Sequence, residues 1–322
     1  MTTKPRVVVA GGSGFLGAGL VPELVAAGYD VVVLTRGNCR DGPGGVRHVS
    51  WDGRTVGPWA EAIDGAEAVV NLVGRTVDCR KTGANRREIM ASRVDSVRAL
   101  AAAFAKCRRP PATWVQTATA HMYGDTDDEI LDDSSPIGTG FAPEVGVAWE
   151  RALEEAPLPG CRRVVLRISF VLGRGGGALR TLARLTRLFL GGTVGHGRQY
   201  ISWIHQADMN ALFLRGLRRP DMSGVYVATT PHPVTNAQFM RELRRAYGRP
   251  WSPPVPRPLV RLGAWMMRTD PELALLGRRC VPTRLLGEGF TFKFATLPEA
   301  LHDLAHPPAA QVARAISTQP IA

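Results

Sequence analysis

A short apolar strand followed by three evenly spaced glycines constrains the fold of this chain more than any other feature. The run Val7–Ala10 is typical of a strand buried on both faces, and Gly11, Gly14 and Gly17 follow it, opening a segment rich in Ala and Gly. Gly11 would permit a tight turn, Gly14 would let the backbone approach a pyrophosphate, and Gly17 would let a helix pack on the strand. An ordinary glycine-rich loop is the alternative, but the order of strand, glycines and helix favours a dinucleotide site.

The second predicted strand, Asp30–Arg36, indicates which dinucleotide suits this site. An acidic residue at its end would bind the ribose 2′-hydroxyl of NAD, whereas this chain has Thr35 and Arg36 there, with Arg40 nearby. A guanidinium suits a 2′-phosphate, so the sequence predicts that NADP(H) is preferred over NAD(H). A solvent-facing loop arginine is the alternative for Arg36.

Composition limits the partners of this 322-residue chain. Its net charge of +12 invites a nucleic-acid interpretation, but arginines supply most of the positive charge and are spread along the sequence. No apolar run approaches membrane-spanning length, and the five cysteines contain no C-x-x-C pair. We therefore expect a cytoplasmic protein with reduced thiols, a small-molecule substrate, no metal site, and neither a nucleic-acid nor a membrane partner. A homodimer is left open.

Strand and helix patterns alternate along the first half of the chain, to about Ile168, and the second half is less regular. Further strands are predicted at 46–49, 68–74, 114–117, 163–168 and 225–228, and helices at 85–107, 145–156, 175–190, 206–217 and 235–247. Pro250–Pro258 is predicted to be a spacer. The alternation predicts an α/β fold with a doubly wound parallel sheet.

Several motifs make the chain resemble the extended short-chain dehydrogenase/reductase superfamily. More narrowly, it is similar to atypical proteins of the NAD-dependent epimerase/dehydratase type, which are sugar-nucleotide epimerase-like and carry a C-terminal extension. The motifs are Gly11-x-x-Gly14-x-x-Gly17, Asn71-Leu72-Val73-Gly74, Thr117-Ala118-Thr119 with Tyr123-Gly124, Gly195-x-Gly197 before Trp203-Ile204-His205-x-x-Asp208, and an extension from Val255 to about Leu304 with Gly277-Arg278-Arg279.

The resemblance implies a Rossmann-like domain and a smaller C-terminal α+β domain on the substrate side. Residues 1–170 would form the dinucleotide-binding domain, to which 205–230 return. Residues 171–204 and 231–306 would form the substrate-side domain, and 307–322 a flexible tail. The implied cofactor-binding residues are Gly11, Ser13, Gly14, Phe15, Leu16, Gly17, Thr35, Arg36, Asp52, Leu72, Val73, Gly74, Arg93, Thr117 and Ser169.

The usual catalytic pair of this superfamily is missing. The family combines a Ser or Thr, here Thr119, with a Tyr-x-x-x-Lys, in which the tyrosine transfers a proton and the lysine lowers its pKa. None of the four lysines has a tyrosine four residues before it. Matching Glu150 to the glutamate that follows the motif puts Ala142 at the tyrosine and Gly146 at the lysine.

Another group would then have to replace the tyrosine, unless no redox turnover occurs. Tyr123 follows the fifth strand and is a catalytic candidate, although its ring could simply pack under the loop. His121 could titrate near neutrality, or could be a packing residue. Glu144 is a further candidate, whereas His205 is expected to orient a helix start.

The substrate side also departs from the nucleotide-sugar pattern. Related enzymes often have Arg-Asp where this chain has Ile201 and Ser202, so a diphosphate contact is lost. Arg174 and Arg198 are alternative anion partners. Trp203 and the region of Met266 and Met267 suggest a less polar pocket, although all of these could merely pack the C-terminal domain.

The residues favour an NADP(H)-binding oxidoreductase or epimerase-like enzyme that acts on a small carbonyl or hydroxyl compound. Two alternatives follow from the missing tyrosine and lysine. One is a redox-neutral isomerase, dehydratase or cyclase with bound cofactor, and the other is a non-catalytic NADP(H) sensor.

Overall fold

The computed structural model describes residues 4–37 and 39–306, so the predicted flexible tail at 307–322 lies outside the described residues. The strands are β1 (Arg6–Ala10), β2 (Asp30–Thr35), β3 (Arg47–Ser50), β4 (Ala68–Asn71), β5 (Thr113–Thr119), β6 (Ile130–Leu131), β7 (Arg162–Ile168), β8 (Phe170–Leu172), β9 (Tyr200–Ile201), β10 (Trp203–His205), β11 (Gly224–Ala228), β12 (Val234–Thr235) and β13 (Arg279–Cys280). The α-helices are α1 (Phe15–Ala26), α2 (Gly83–Phe104), α3 (Phe141–Glu154), α4 (Gly177–Arg187), α5 (Gln206–Arg218), α6 (Asn236–Ala246), α7 (Arg257–Met266), α8 (Glu272–Leu275), α9 (Thr283–Gly287) and α10 (Leu297–Ala305).

A seven-stranded parallel sheet in the order β11-β7-β5-β4-β1-β2-β3 confirms the predicted fold class. Ala10, at the end of β1, pairs with Leu34 of β2 on one side and with Asn71 of β4 on the other. The chain therefore leaves β1 in one direction and returns to its other side at β4. In sheets of this kind, ligands bind beyond the carboxyl ends of the strands at such a switch point.

Helices cover both faces of the sheet because its central strands are apolar on both sides. Val7 and Val9 pack in a core with residues of α1 and α5, whereas Val8 and Ala10 face a second core with residues of α2 and α3. This is the burial expected of a parallel sheet, whose strands lack a solvent-facing side. Within the described ranges, no helix is long and apolar enough to cross a membrane.

The C-terminal region has its own apolar cluster, formed by residues of β8, α4, β10, α6 and α10. Two predictions about this region are wrong in their boundaries. Within the segment 250–258, predicted to be a spacer, α7 begins at Arg257, because Pro258 near its start fits the fixed φ of a first helical turn. The helix predicted to reach Leu190 ends at Arg187, and Phe189 adopts a φ of 61° that breaks helical geometry.

Candidate cofactor and substrate site

The glycine turn lies at the switch point of the sheet. Gly11 has a φ of 77°, and its N–H donates to the Leu34 carbonyl at 3.0 Å. A Cβ at position 11 would lie 3.1 Å from Cγ2 of Val73, so the turn after β1 packs closely against the residues that follow β4. Both the left-handed conformation and this approach require glycine.

The N-terminus of α1 has room for an anion. Gly14 is the N-cap residue and no side chain caps the helix. A Cβ at position 14 would have only the Gly11 carbonyl within 4 Å, at 3.4 Å, whereas one at position 17 would overlap the backbone of Gly12. Gly17 thus allows the helix to pack on the turn, and Gly14 leaves the amides of the first turn approachable. These features fit the pyrophosphate of a dinucleotide.

A second glycine-rich segment covers Phe15, the first residue of α1. Cβ atoms added at Gly173 and Gly177 would lie 2.8 and 3.1 Å from the Phe15 ring. The segment therefore rests on the ring because it lacks side chains. The sequence predicts only that the run Gly175–Gly177 opens a helix, and it does not indicate the contact with Phe15.

Hydroxyl groups join the glycine turn to the end of β2. Ser13 Oγ lies 3.0 Å from Thr35 Oγ1, which also accepts a hydrogen bond from the Gly37 N–H at 3.1 Å. Arg36 is exposed, and none of the carboxylates in the described part of the chain forms an ion pair with it. The glycine turn therefore meets the end of β2 at Ser13 and Thr35, directly before Arg36.

Asp52 follows β3 and is bound within its own turn. Its carboxylate accepts hydrogen bonds from the N–H groups of Arg54 and Thr55, both at 2.8 Å, and from the Thr55 hydroxyl at 2.6 Å. The hydroxyl and these amides lower the pKa of Asp52 to about 2. The carboxylate is therefore ionised near pH 7, and its hydrogen bonds are all within its own turn.

The predicted cofactor residues after β4 and in β5 form a connected group. Val73 N–H donates to Asn71 Oδ1 at 3.1 Å, and the Thr117 hydroxyl donates to the Asn71 carbonyl at 2.9 Å. Because Val73 also abuts Gly11, this group is continuous with the glycine turn. Leu72 N–H donates to the Ala10 carbonyl at 2.9 Å, which extends the pairing of β4 with β1.

Arg93 of α2 lies under the loop after β4. A Cβ at Gly74 would be 3.1 Å from Arg93 Nη2, and Nη1 donates to the carbonyls of Ile89 and Arg75 at 2.9 and 3.2 Å. Its guanidinium lies 5.0 Å from the centre of the Trp149 ring, and burial lowers its pKa to about 10. Arg93 thus supports the loop that contains Gly74.

Thr119 ends β5, and His121 follows it in a 3₁₀ turn, Ala120–Tyr123. The Thr119 hydroxyl oxygen accepts a hydrogen bond from the His121 N–H at 3.1 Å. Burial, together with the positive charges of Arg278 and Lys81, holds the pKa of His121 well below its usual range. The imidazole is therefore neutral near pH 7.

Tyr123 is buried, with 1% of its surface exposed, and its hydroxyl accepts a hydrogen bond from Arg167 Nη1 at 2.8 Å. Arg167 in turn binds both carboxylate oxygens of Glu150, at 2.9 and 2.8 Å. Burial raises the pKa of Tyr123 to about 12. This geometry favours the packing interpretation of Tyr123 over proton transfer.

The position matched to the family lysine has no room for a side chain. Gly146 lies in α3, where a Cβ would be 2.8 Å from Met122 Cβ and 3.3 Å from Thr119 Cγ2. The 3₁₀ turn and the methyl group of Thr119 fill this space. The absence of the lysine is therefore built into the packing of α3, and Glu144, two residues earlier, is exposed.

Ser169, which was predicted to bind the cofactor, and several predicted substrate-side residues have structural partners. The Ser169 hydroxyl donates to the Ser202 carbonyl at 2.6 Å, and Arg174 pairs with Asp303 at 2.8 Å. Trp203 is fully buried in the C-terminal cluster, which matches the packing alternative. His205 caps α5 by accepting a hydrogen bond at Nδ1, as expected of a helix-orienting residue.

The remaining substrate-side candidates from the sequence are on the surface. Met266 and Met267, which suggested a less polar pocket, are exposed. Arg198, an alternative anion partner, is also exposed.

The C-terminal extension reaches the loop after β4. Arg80 Nη2 donates to the Trp265 carbonyl at 2.8 Å, and Lys81 forms an ion pair with Asp270 at 3.3 Å. Sequence reasoning missed these contacts, and it also missed Arg278, whose Nε donates to the Gly124 carbonyl at 3.0 Å. The motif containing Arg278 was visible in the sequence, but its position beside the 3₁₀ turn after β5 was not.

Three features together define a Rossmann-type dinucleotide-binding protein: the parallel sheet whose strand order reverses at β1, the glycine turn after β1, and the N-terminus of α1, which no side chain caps. The chain belongs to the NAD dependent epimerase/dehydratase family, whose profile matches residues 7–228. A second profile, described as a domain of unknown function, DUF1731, matches residues 255–304. The resemblance inferred from the motifs is confirmed.

Relatives align over nearly the whole chain. "Epimerase family protein SDR39U1" of Bos taurus is 34% identical over 93% of this chain and 99% of its own length. "Epimerase family protein Mb2239" of Mycobacterium bovis is 34% identical over 92% of this chain and 96% of its own length. The crystal structure of human epimerase family protein SDR39U1 (isoform 2) with NADPH is similar, with a TM-score of 0.84, 31% identity, and coverage of 94% of this chain and 100% of that one.

Proposed function

We propose that this protein binds NADP(H) across the glycine turn and transfers hydride to or from a small carbonyl or hydroxyl compound. The compound would bind beyond the carboxyl end of β5, beside Thr119 and His121. One observation carries the proposal: an open α1 N-terminus adjoins the end of β2, where Ser13 and Thr35 lie 3.0 Å apart and Arg36 follows. The NADPH in the human SDR39U1 structure supports the same cofactor choice.

Residues of this chain would hold the cofactor in three places. The amides that begin α1 at Phe15 would bind the pyrophosphate, and Ser13 with Arg36 would bind the 2′-phosphate. The backbone at Val73 and Gly74 would follow the cofactor along the switch point toward β5. When bound, the nicotinamide supplies or accepts the hydride.

Thr119 would orient the substrate oxygen. Its hydroxyl oxygen accepts the His121 N–H, so its own proton is available to donate to a carbonyl oxygen. The neutral His121 imidazole adds a second hydrogen-bonding group. Because Tyr123 is bound to Arg167 and Gly146 excludes a lysine, the proton would come from water or from the substrate itself, and the neutral His121 would contribute a hydrogen bond without supplying the proton.

The tight packing at Gly146 also favours a second candidate, in which the cofactor is retained without net hydride transfer. That protein would be a redox-neutral isomerase, dehydratase or cyclase, or a non-catalytic NADP(H) sensor. The two candidates share the cofactor site and differ in whether NADPH is consumed.

Cofactor titrations test the binding proposal. NADPH and NADH are titrated into the wild type, Arg36→Ala and the control Arg40→Ala, following nicotinamide fluorescence. We expect Arg36→Ala to weaken NADPH by about tenfold and NADH by less than about twofold, since only NADPH has the phosphate that an exposed guanidinium binds. Equal effects on both cofactors would refute the phosphate role.

Turnover separates the two candidates. NADPH oxidation is followed by absorbance with a panel of small aldehydes, ketones and oxo acids. We expect oxidation with at least one class, reduced by about a hundredfold in Thr119→Val and largely kept in Thr119→Ser. Tight NADPH binding with no oxidation across the panel would favour the redox-neutral or sensor candidate.

A further inference from the structure

Arg278, next to β13, is a buried cation with few partners. It is 8% exposed, and burial lowers its pKa. A guanidinium has five N–H donors, but among the described residues the Arg278 side chain makes a single hydrogen bond, from Nε to the Gly124 carbonyl. Among the residues that the structure describes, no carboxylate forms an ion pair with Arg278. A buried charge without such a partner costs free energy of folding.

A comparison with Arg167 shows what a compensated arginine looks like in this protein. Arg167 is also 8% exposed, but it binds Glu150 through two hydrogen bonds and donates a third to Tyr123. The acid nearest in sequence to the Arg278 contact, Asp125, instead accepts the Gly277 N–H at 2.8 Å. Arg278 therefore keeps a capacity for hydrogen bonding that the protein itself does not use.

The location of Arg278 places this capacity beside the substrate region. Its Nε contact is to the carbonyl that ends the 3₁₀ turn after Thr119, and its charge acts on His121. Lys81 acts on His121 as well, but it already has Asp270 as a partner. Positive charge thus surrounds the hydrogen-bonding groups of the proposed reaction. Asp125 exerts an opposing charge on Arg278, but no carboxylate of the described residues lies within ion-pair distance of its guanidinium.

We propose that Arg278 is an anion subsite, and that the substrate carries a small acidic group, a carboxylate or a phosphate, near its reacting carbonyl or hydroxyl. A guanidinium fork matches either oxyanion through paired hydrogen bonds. The inference rests on the proposed function for the position of the reacting carbon. The subsite is separate from the cofactor phosphates, whose proposed partners are at α1 and Arg36.

The subsite is tested on NADPH-loaded protein, so cofactor binding is established before any anion is added. Oxalate and inorganic phosphate are the anionic probes and oxamide is the neutral one, with sodium chloride matching the ionic strength, and binding is measured by calorimetry. We expect at least one anion to bind and oxamide not to bind. Arg278→Gln should weaken the anion by about 30-fold, as expected when one partner of a desolvated charge pair is removed.

Arg279→Gln is the matched control, because Arg279 is adjacent but stacks on Tyr200, with its guanidinium carbon 4.9 Å from the ring centre. It should leave anion affinity within about twofold of the wild type. Equal loss in both variants, equal binding of oxamide, or no anion binding to the NADPH-loaded wild type would overturn the subsite. If NADPH itself fails to bind, the proposed function fails instead.

A measurement on the wild type covers the case in which Arg278→Gln does not fold. Histidine ring signals are recorded by NMR, and His121 is assigned from the signal that disappears in His121→Gln. The bound anion should shift the His121 signal, whereas oxamide should not, because the anion offsets the charge that acts on this imidazole. Anion binding that leaves the His121 signal unchanged would place the anion elsewhere and contradict the proposal.

Discussion

Replacing Gly146 by alanine tests whether the family lysine position is closed by packing. Alanine in a helix interior normally stabilises a protein by about 0.5–1 kcal/mol relative to glycine. Here the added Cβ would lie 2.8 Å from Met122 Cβ and 3.3 Å from Thr119 Cγ2. Met122 Cβ is attached directly to the backbone, so it cannot rotate away.

Overpacking of this kind costs about 1–3 kcal/mol, so Gly146→Ala should lower the free energy of unfolding by up to about 2.5 kcal/mol after the helical gain is subtracted. Gly263, inside α7, is the matched control because a Cβ there meets nothing within 4 Å. Gly263→Ala should be stabilised by about 0.5–1 kcal/mol. Urea denaturation measures both, and a stabilised Gly146→Ala would refute the reasoning.

Three further predictions concern single residues. Tyr123→Phe removes a hydrogen bond to buried Arg167, so the free energy of unfolding should fall by about 1–3 kcal/mol with NADPH affinity unchanged, as measured by denaturation and fluorescence titration. Unchanged stability with a loss of turnover of about a hundredfold would instead make Tyr123 a proton donor. Gly17→Ala forces a Cβ into the backbone of Gly12, so NADPH should bind at least about tenfold more weakly in a fluorescence titration, and unchanged affinity would contradict the turn geometry. Because the pKa of folded His121 lies below its usual 6.5, the unfolded chain binds more protons below that pH, and the free energy of unfolding decreases as the pH falls. This residue contributes up to about 1.4 kcal/mol per pH unit to that decrease. Urea denaturation between about pH 7 and 5 should therefore show a smaller dependence of the free energy of unfolding on pH for His121→Gln than for the wild type. The same pH dependence in both proteins would contradict the burial of a neutral imidazole.

The sheet and the glycine turn were predictable because their signals are local. The apolar run of β1 and the spacing of Gly11, Gly14 and Gly17 lie within a dozen residues, and the structure shows a steric reason for glycine at positions 11 and 17. The end of β2 was predictable for the same reason, since Thr35 and Arg36 follow directly from a buried strand.

The substrate side was harder to predict because its contacts join distant parts of the chain. Arg278 meets Gly124 across 154 positions, and Arg80 meets Trp265 across 185. The sequence indicated that Gly146 replaces the family lysine, but it could not reveal that Met122 closes the space. Such features depend on how α3 and the C-terminal extension dock, which no short pattern encodes.

A crystal structure of the protein with bound NADPH tests the central claim most directly. We predict the pyrophosphate at the N-terminus of α1, the 2′-phosphate beside Ser13 and Arg36, and the nicotinamide beyond β5 near Thr119 and His121, with Tyr123 still bound to Arg167. A nicotinamide positioned away from Thr119, or a Tyr123 hydroxyl turned out to meet it, would contradict the account.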